Sequence, residues 1–152
     1  MPRTFIEREI AFNISDVARL LRTHVDQRAR EYGMTRAQWV ILARLNAQPG
    51  LSQIEMASLL EVEPISVGRL IDRLEARALV ERRPDPSDRR VWRLHLLPSA
   101  QPILNEISRT REVLGAELFD GVDATARATM IDALLCMKNN LTAEPAPIAV
   151  GE

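Results

Sequence analysis

The side chains that could do chemistry gather between residues 63 and 97, and they offer charge and hydrogen bonding rather than covalent catalysis. Ser66, Arg69, Arg73 and Arg77 recur at spacings of three and four, so on a helix they share an arc of roughly 80°. Arginine on such a stripe can fork onto O6 and N7 of guanine, and serine can reach a phosphate or a base edge. Seven residues further on, Pro84-Asp85-Pro86-Ser87-Asp88-Arg89-Arg90 is too long for a two-residue turn and too polar for a core. Its two arginines could enter a minor groove, where a narrow channel deepens the negative potential. Asp88 would repel phosphate unless it holds a neighbouring arginine by a charge-assisted hydrogen bond.

Net charge is −1 and hides this concentration. Residues 64–93 carry eight arginines against five acids, a local excess of three positive charges, and local charge on one face governs phosphate contact. Arginine predominates everywhere, with Lys138 the single lysine, so the positions of the arginines carry the information.

Enzyme chemistry finds no footing. The histidines are His24 and His95, and no Ser-His-Asp order, metal-ligand cluster or phosphate-binding glycine loop is present. No metal or cofactor is expected. Cys136 is the only cysteine, so no intrachain disulfide forms; it lies in the apolar helical run 130–141, where a packed, inert thiol is expected. No apolar run approaches the roughly 20 residues of a membrane span. Residues 1–9 are charged where a signal peptide needs an apolar stretch. A cytoplasmic protein is expected.

The elements that must position the stripe and turn can be read from periodicity. Ile10, Ile14, Val17, Leu21 and Val25 mark a first helix, opened by Thr4 with Glu7 in capping-box spacing and closed near Tyr32-Gly33. Thr35 with Gln38 and Ser52 with Glu55 repeat the capping box ahead of a second helix and a short third one. Pro64 suits the first turn of the next helix, which buries Val67, Leu70, Ile71 and Leu74. Helix, break, short helix, break, helix is a helix-turn-helix pattern. A strand follows at Leu79–Arg83 and another at Val91–Leu97, where Trp92, Leu94 and Leu96 alternate with polar residues. Ser99 can cap a long helix that carries Leu104, Ile107, Leu114 and Leu118, and Asp123 a last one with Met130, Leu134, Met137 and Leu141. The tail 142–152 has no periodicity and is expected to be disordered.

These elements give a mainly α chain with a small β-wing. Its partition is a winged helix-turn-helix lobe at 34–98 and a helical dimerisation region at 1–33 and 99–141. The first helix and the last two have wide apolar faces for so small a chain, so they are expected to pack together and pair with a second copy, making a homodimer. Duplex DNA is the partner such a lobe suits.

Trp39, the runs Pro49–Gln53, Arg69–Glu75 and Leu79–Arg83, and the Asp-Arg-Arg of the turn (Asp88, Arg89, Arg90) together resemble the MarR family of transcriptional regulators over about residues 10–140. With Trp39, the run Ala100-Gln101-Pro102-Ile103 looks closest to the SlyA branch. The resemblance implies a dimer with two winged lobes on a pseudo-palindromic operator. It implies DNA contacts from Ser66, Arg69 and Arg73 on the recognition helix and from Asp88, Arg89 and Arg90 on the wing; Gln53 and Arg77 are expected to face DNA beside them. It also implies a small aromatic acid effector near Arg19, Arg22, Thr35, Trp39 and Arg69. Two departures stand out: Ala78 sits where the family often has glycine, so this helix is expected to close without a left-handed residue, and Leu97-Pro98 leaves capping to Ser99. The expected function is repression relieved by a ligand. Two alternatives stay open, a protein-docking winged helix without DNA readout and a DNA-binding activator or anti-silencing factor.

Overall fold

The computed structural model describes residues 3–142. The expected disordered tail falls outside them, except that Thr142 still belongs to the last helix. The order is α1 (Arg3–Glu31), α2 (Arg36–Ala47), α3 (Gln53–Leu60), α4 (Pro64–Ala76), β1 (Val80–Pro84), β2 (Trp92–Leu96), a 3-10 turn (Pro98–Ala100), α5 (Gln101–Leu118) and α6 (Ala124–Thr142). The chain is mainly helical with one antiparallel two-stranded wing.

Local chemistry sets most boundaries. In α2 the Thr35 hydroxyl accepts from the Gln38 amide at 3.3 Å while Gln38 Oε1 accepts from the Thr35 amide at 2.9 Å. Ser52 and Glu55 do the same for α3, at 3.2 and 2.7 Å. Each such cap is worth about 1 kcal/mol. Gly33, at φ +65°, closes α1. Thr4 is not a cap, because α1 already includes Arg3.

Three further expectations change, two at helix ends and one on a strand. Ala78 does take the left-handed conformation, at φ 55°, and the Leu79 amide donates to Leu74 O at 3.0 Å across the end of α4. This is a Schellman closure made without glycine, held because Leu79 and Val80 on its far side are buried. Ser99 does not cap α5; its hydroxyl donates to the carbonyl of Ala78 instead. Trp92, expected on the buried side of its strand, is half-exposed, because the Pro84–Trp92 pair is the last rung of the hairpin, next to the protruding turn.

The chain forms two compact units, residues 1–110 and 111–152. The first unit brings α1 and the first half of α5 together with the winged lobe. The reason is a shared core: Ala29 of α1 and Leu104 and Ile107 of α5 are buried in one cluster with Trp39, Ile71 and Leu94. In the second unit Asp123 caps α6 by accepting from the Ala126 amide at 2.9 Å. Arg127 lies over the Phe119 ring at 5.5 Å and donates to Phe119 O and Val122 O, both at 2.7 Å. Helix α6 buries none of its residues. Cys136 is therefore exposed, contrary to the expectation of a packed thiol.

Candidate nucleic-acid interface

Helix α4 is fixed from one side only. Val67, Ile71 and Leu74 are fully buried, which leaves the opposite side to solvent. Ser66, Arg69 and Arg73 are exposed there. The Arg69 and Arg73 side chains make no ion pair or hydrogen bond with any described residue. Arg77 leaves this set. It follows the last turn of α4, and its guanidinium donates to Tyr32 O at 3.2 Å and Gly33 O at 3.4 Å. It thereby satisfies carbonyls that the end of α1 leaves open.

The wing is anchored by two arginines that pattern reading did not single out. Arg82 on β1 donates from Nε to Gln53 Oε1 at 2.7 Å, from Nη2 to Asp72 Oδ1 at 2.7 Å and Gly68 O at 3.1 Å, and from Nη1 to Glu75. Its backbone amide also donates to Glu75 Oε1 at 2.9 Å. One guanidinium thus ties the hairpin base to α3 and α4. Gln53, expected to face DNA, is half-buried and holds Arg82.

Arg93 on β2 does the same for the turn. It donates to Asp85 Oδ2 at 2.7 Å, Glu55 Oε2 at 3.1 Å and Gly50 O at 3.3 Å. Ser52 pairs with Arg93 as an isolated bridge, and the Leu94 amide donates to Leu51 O at 2.9 Å, so the wing is hydrogen-bonded to the segment before α3.

The turn itself is organised by Asp85, which is buried. Its Oδ1 accepts from the Ser87 hydroxyl at 2.6 Å and from the amides of Ser87 and Asp88 at 2.8 and 3.1 Å. The Ser87 hydroxyl, then Arg93, then those amides hold its carboxyl far below the usual range. Glu55 is also lowered, first by the Ser52 amide. An aspartate two residues before a serine is a turn-forming signal that sequence reading could have used.

At the tip, Asp88 accepts from the Arg90 side chain and backbone, which lowers its pKa. Arg89 is exposed and has no partner among the described residues. The two tip arginines therefore differ, one held and one loose.

The five residues expected around an effector are not gathered into one site. Trp39 is 3% exposed and tilts against Tyr32 at 5.5 Å between ring centroids. Arg19 pairs with Asp16 at 2.8 Å. Arg22 is exposed on α1, Arg69 on α4. Thr35 alone of the five lines an open cleft of about 460 Å³, together with Arg30, Gln38, Arg73 and Arg77. No carboxylate lines that cleft. No group of three acidic, histidine or cysteine side chains suited to a metal occurs among the described residues.

Residues 34–92 match the family model of MarR. The winged lobe is similar to MarR-family domains. The fold agrees over most of the chain. The MarR transcriptional regulator from Methanosarcina mazei Go1 superposes with a TM-score of 0.77 at 24% identity, over 88% of this chain and 96% of that one. BldR from Sulfolobus solfataricus gives 0.78 at 20%, over 92% and 99%. The transcriptional regulator SlyA gives 0.76 at 25%, over 87% and 93%. SlyA thus stands level with the Methanosarcina protein, and these values do not set the chain nearer to the SlyA branch. The Methanosarcina protein and SlyA are described as transcriptional regulators, and no described helix is long and apolar enough to cross a membrane.

Proposed function

We propose that this chain is a cytoplasmic, dimeric repressor of the MarR family that binds a pseudo-palindromic operator through Ser66, Arg69 and Arg73 in the major groove and Arg89 and Arg90 in the minor groove. One observation carries the reading: α4 is locked by buried side chains on one side and presents two unpartnered arginines on the other. An arginine that the protein itself does not use is available for base edges and phosphates. Gln53 and Arg77 support this surface from behind. Kinship with the SlyA branch is supported by Trp39 and the run Ala100–Ile103.

Dimerisation is supported by apolar faces left uncovered within each unit. In α1, Phe5, Ile10, Phe12 and Leu20 are exposed, and in α6 so are Ile131, Leu134 and Leu135. A monomer would leave these to water. A two-fold pair would then meet half-sites about one helical turn apart, roughly 10 base pairs. Repression follows if the occupied site excludes polymerase.

An acidic effector is supported by the cleft, where arginines meet no carboxylate. Arg73 belongs both to the cleft and to the DNA-facing stripe. An aromatic acid seated there would draw Arg73 away from DNA and lower affinity, a coupling typically of about 1–3 kcal/mol. Selection of duplexes from a random pool, combined with sedimentation of the complex, tests the reading. Enrichment of an inverted repeat bound by two chains is expected; a pool that stays random, or a bound monomer, counts against it.

A further inference from the structure

Ile65 is the second residue of α4 and is 68% exposed. It lies roughly 120–180° around the helix from Val67, Ile71 and Leu74, the residues that bury this helix. It therefore contributes nothing to the core. It stands instead about 40° from Arg69 and about 80° from Arg73, along the edge of the stripe whose arginines at 69 and 73 are unpartnered. An aliphatic side chain beside two free guanidinium groups fits a partner that is both anionic and locally apolar.

A protein surface would have to bury those arginines opposite an apolar patch. A DNA major groove meets both demands, because the thymine 5-methyl is the apolar group on its base edges and phosphates line its walls. Position matters too, since residues at the N-terminal end of a recognition helix are the ones that reach base edges. Pro64 stiffens this first turn, and the β-branched side chain holds essentially one rotamer in a helix, so contact orders little that is not already ordered.

We infer that Ile65 reads a thymine 5-methyl group in each half-site, making it a specificity-determining residue. The inference rests on the DNA reading above and adds a base preference to it.

The test uses a duplex obtained by selection from a random pool. Replacing single thymines by uracil removes the methyl and leaves the hydrogen-bonding edge unchanged. Wild-type protein should bind about fourfold more weakly for one thymine position per half-site, the loss of one methyl-sized apolar contact. Ile65→Ala should bind the thymine duplex more weakly and be indifferent to that same replacement. The wild-type comparison needs no folding control, and Ile65→Ala changes an exposed residue. Equal wild-type affinity after replacement at every thymine, or a variant as sensitive as wild type, overturns the inference while leaving DNA binding intact. Wild-type protein that does not prefer the selected duplex over random DNA overturns the DNA reading, and this inference with it.

Discussion

Asp88 grips Arg90 with both carboxylate oxygens, accepting from Nε at Oδ1 and from Nη2 at Oδ2, each at 3.1 Å, while the Arg90 side chain remains 91% exposed. In such a geometry the acid is a brace. It fixes the fork of one arginine at the wing tip and leaves its neighbour Arg89 loose. The acid costs the tip some phosphate attraction in return for orientation.

The two arginines should therefore fail differently. Arg89→Ala is expected to weaken binding to every duplex and to lower the salt slope by about one unit per wing. Asp88→Asn leaves Arg90 charged but loosens it, and should reduce preference for the selected site over random DNA measurably. Affinity titrations over a range of salt concentrations measure both. An unchanged slope for the first, or an unchanged preference for the second, contradicts these assignments.

Arg82→Met tests the wing anchor. The guanidinium, 21% exposed, serves Glu75, Asp72, Gln53 and Gly68 together. Its removal leaves the part-buried Glu75 carboxylate and the exposed Asp72 without their cation, at an expected cost of about 1–3 kcal/mol in urea unfolding. DNA affinity should fall as well, since α4 and the wing lose their common tie. A variant as stable as wild type would show that the network is ornamental.

Ala78→Gly should stabilise the chain. Ala78 holds φ 55°, a conformation costing an L-residue with a Cβ roughly 1 kcal/mol and glycine much less. The expected gain of about 0.5–1 kcal/mol corresponds to a Tm rise of about 1–4 °C for a chain of this size. A lowered Tm would mean that unfolded-state entropy outweighs the relief of strain.

Acid should loosen the wing through Asp85 and Glu55. Both carboxyls are depressed in the folded state, so their stabilising effect is complete above the unfolded carboxylate range, about pH 4. It is lost as pH falls through the lower folded values. Asp85→Asn should destabilise at pH 7 and flatten the fall in stability below about pH 4. Denaturant unfolding at a series of pH values checks this; a variant that keeps the full acid slope contradicts it.

What the sequence reveals of this architecture divides along local and non-local lines. Thr35 with Gln38 and Ser52 with Glu55 are caps whose partners lie three residues away, so spacing alone suffices. The stripe of Ser66, Arg69 and Arg73 is equally plain, because helical periodicity separates it from Val67, Ile71 and Leu74. Arg77 fits the same wheel, yet its carbonyl partners stand 44 and 45 residues earlier, and no periodicity encodes them. Arg82 and Arg93 read as two more cations in a basic stretch; only the folded hairpin brings Glu75 and Asp85 to them. Ala78 violates local propensity, and such a violation is visible only once buried neighbours impose it. Cys136 reads as packed because apolar helices usually pack, whereas α6 buries none of its residues.

The most direct test is titration of a selected operator and a random duplex with wild-type protein and with Arg69→Ala/Arg73→Ala, each confirmed folded by thermal melting. Both substitutions are on the exposed side of α4, so the melting curve should barely move. Wild type should prefer the operator strongly, and the double variant should lose most of that preference, about 1–3 kcal/mol for each base-reading arginine. A folded double variant that still discriminates as wild type does would contradict the claim that this helix face reads DNA.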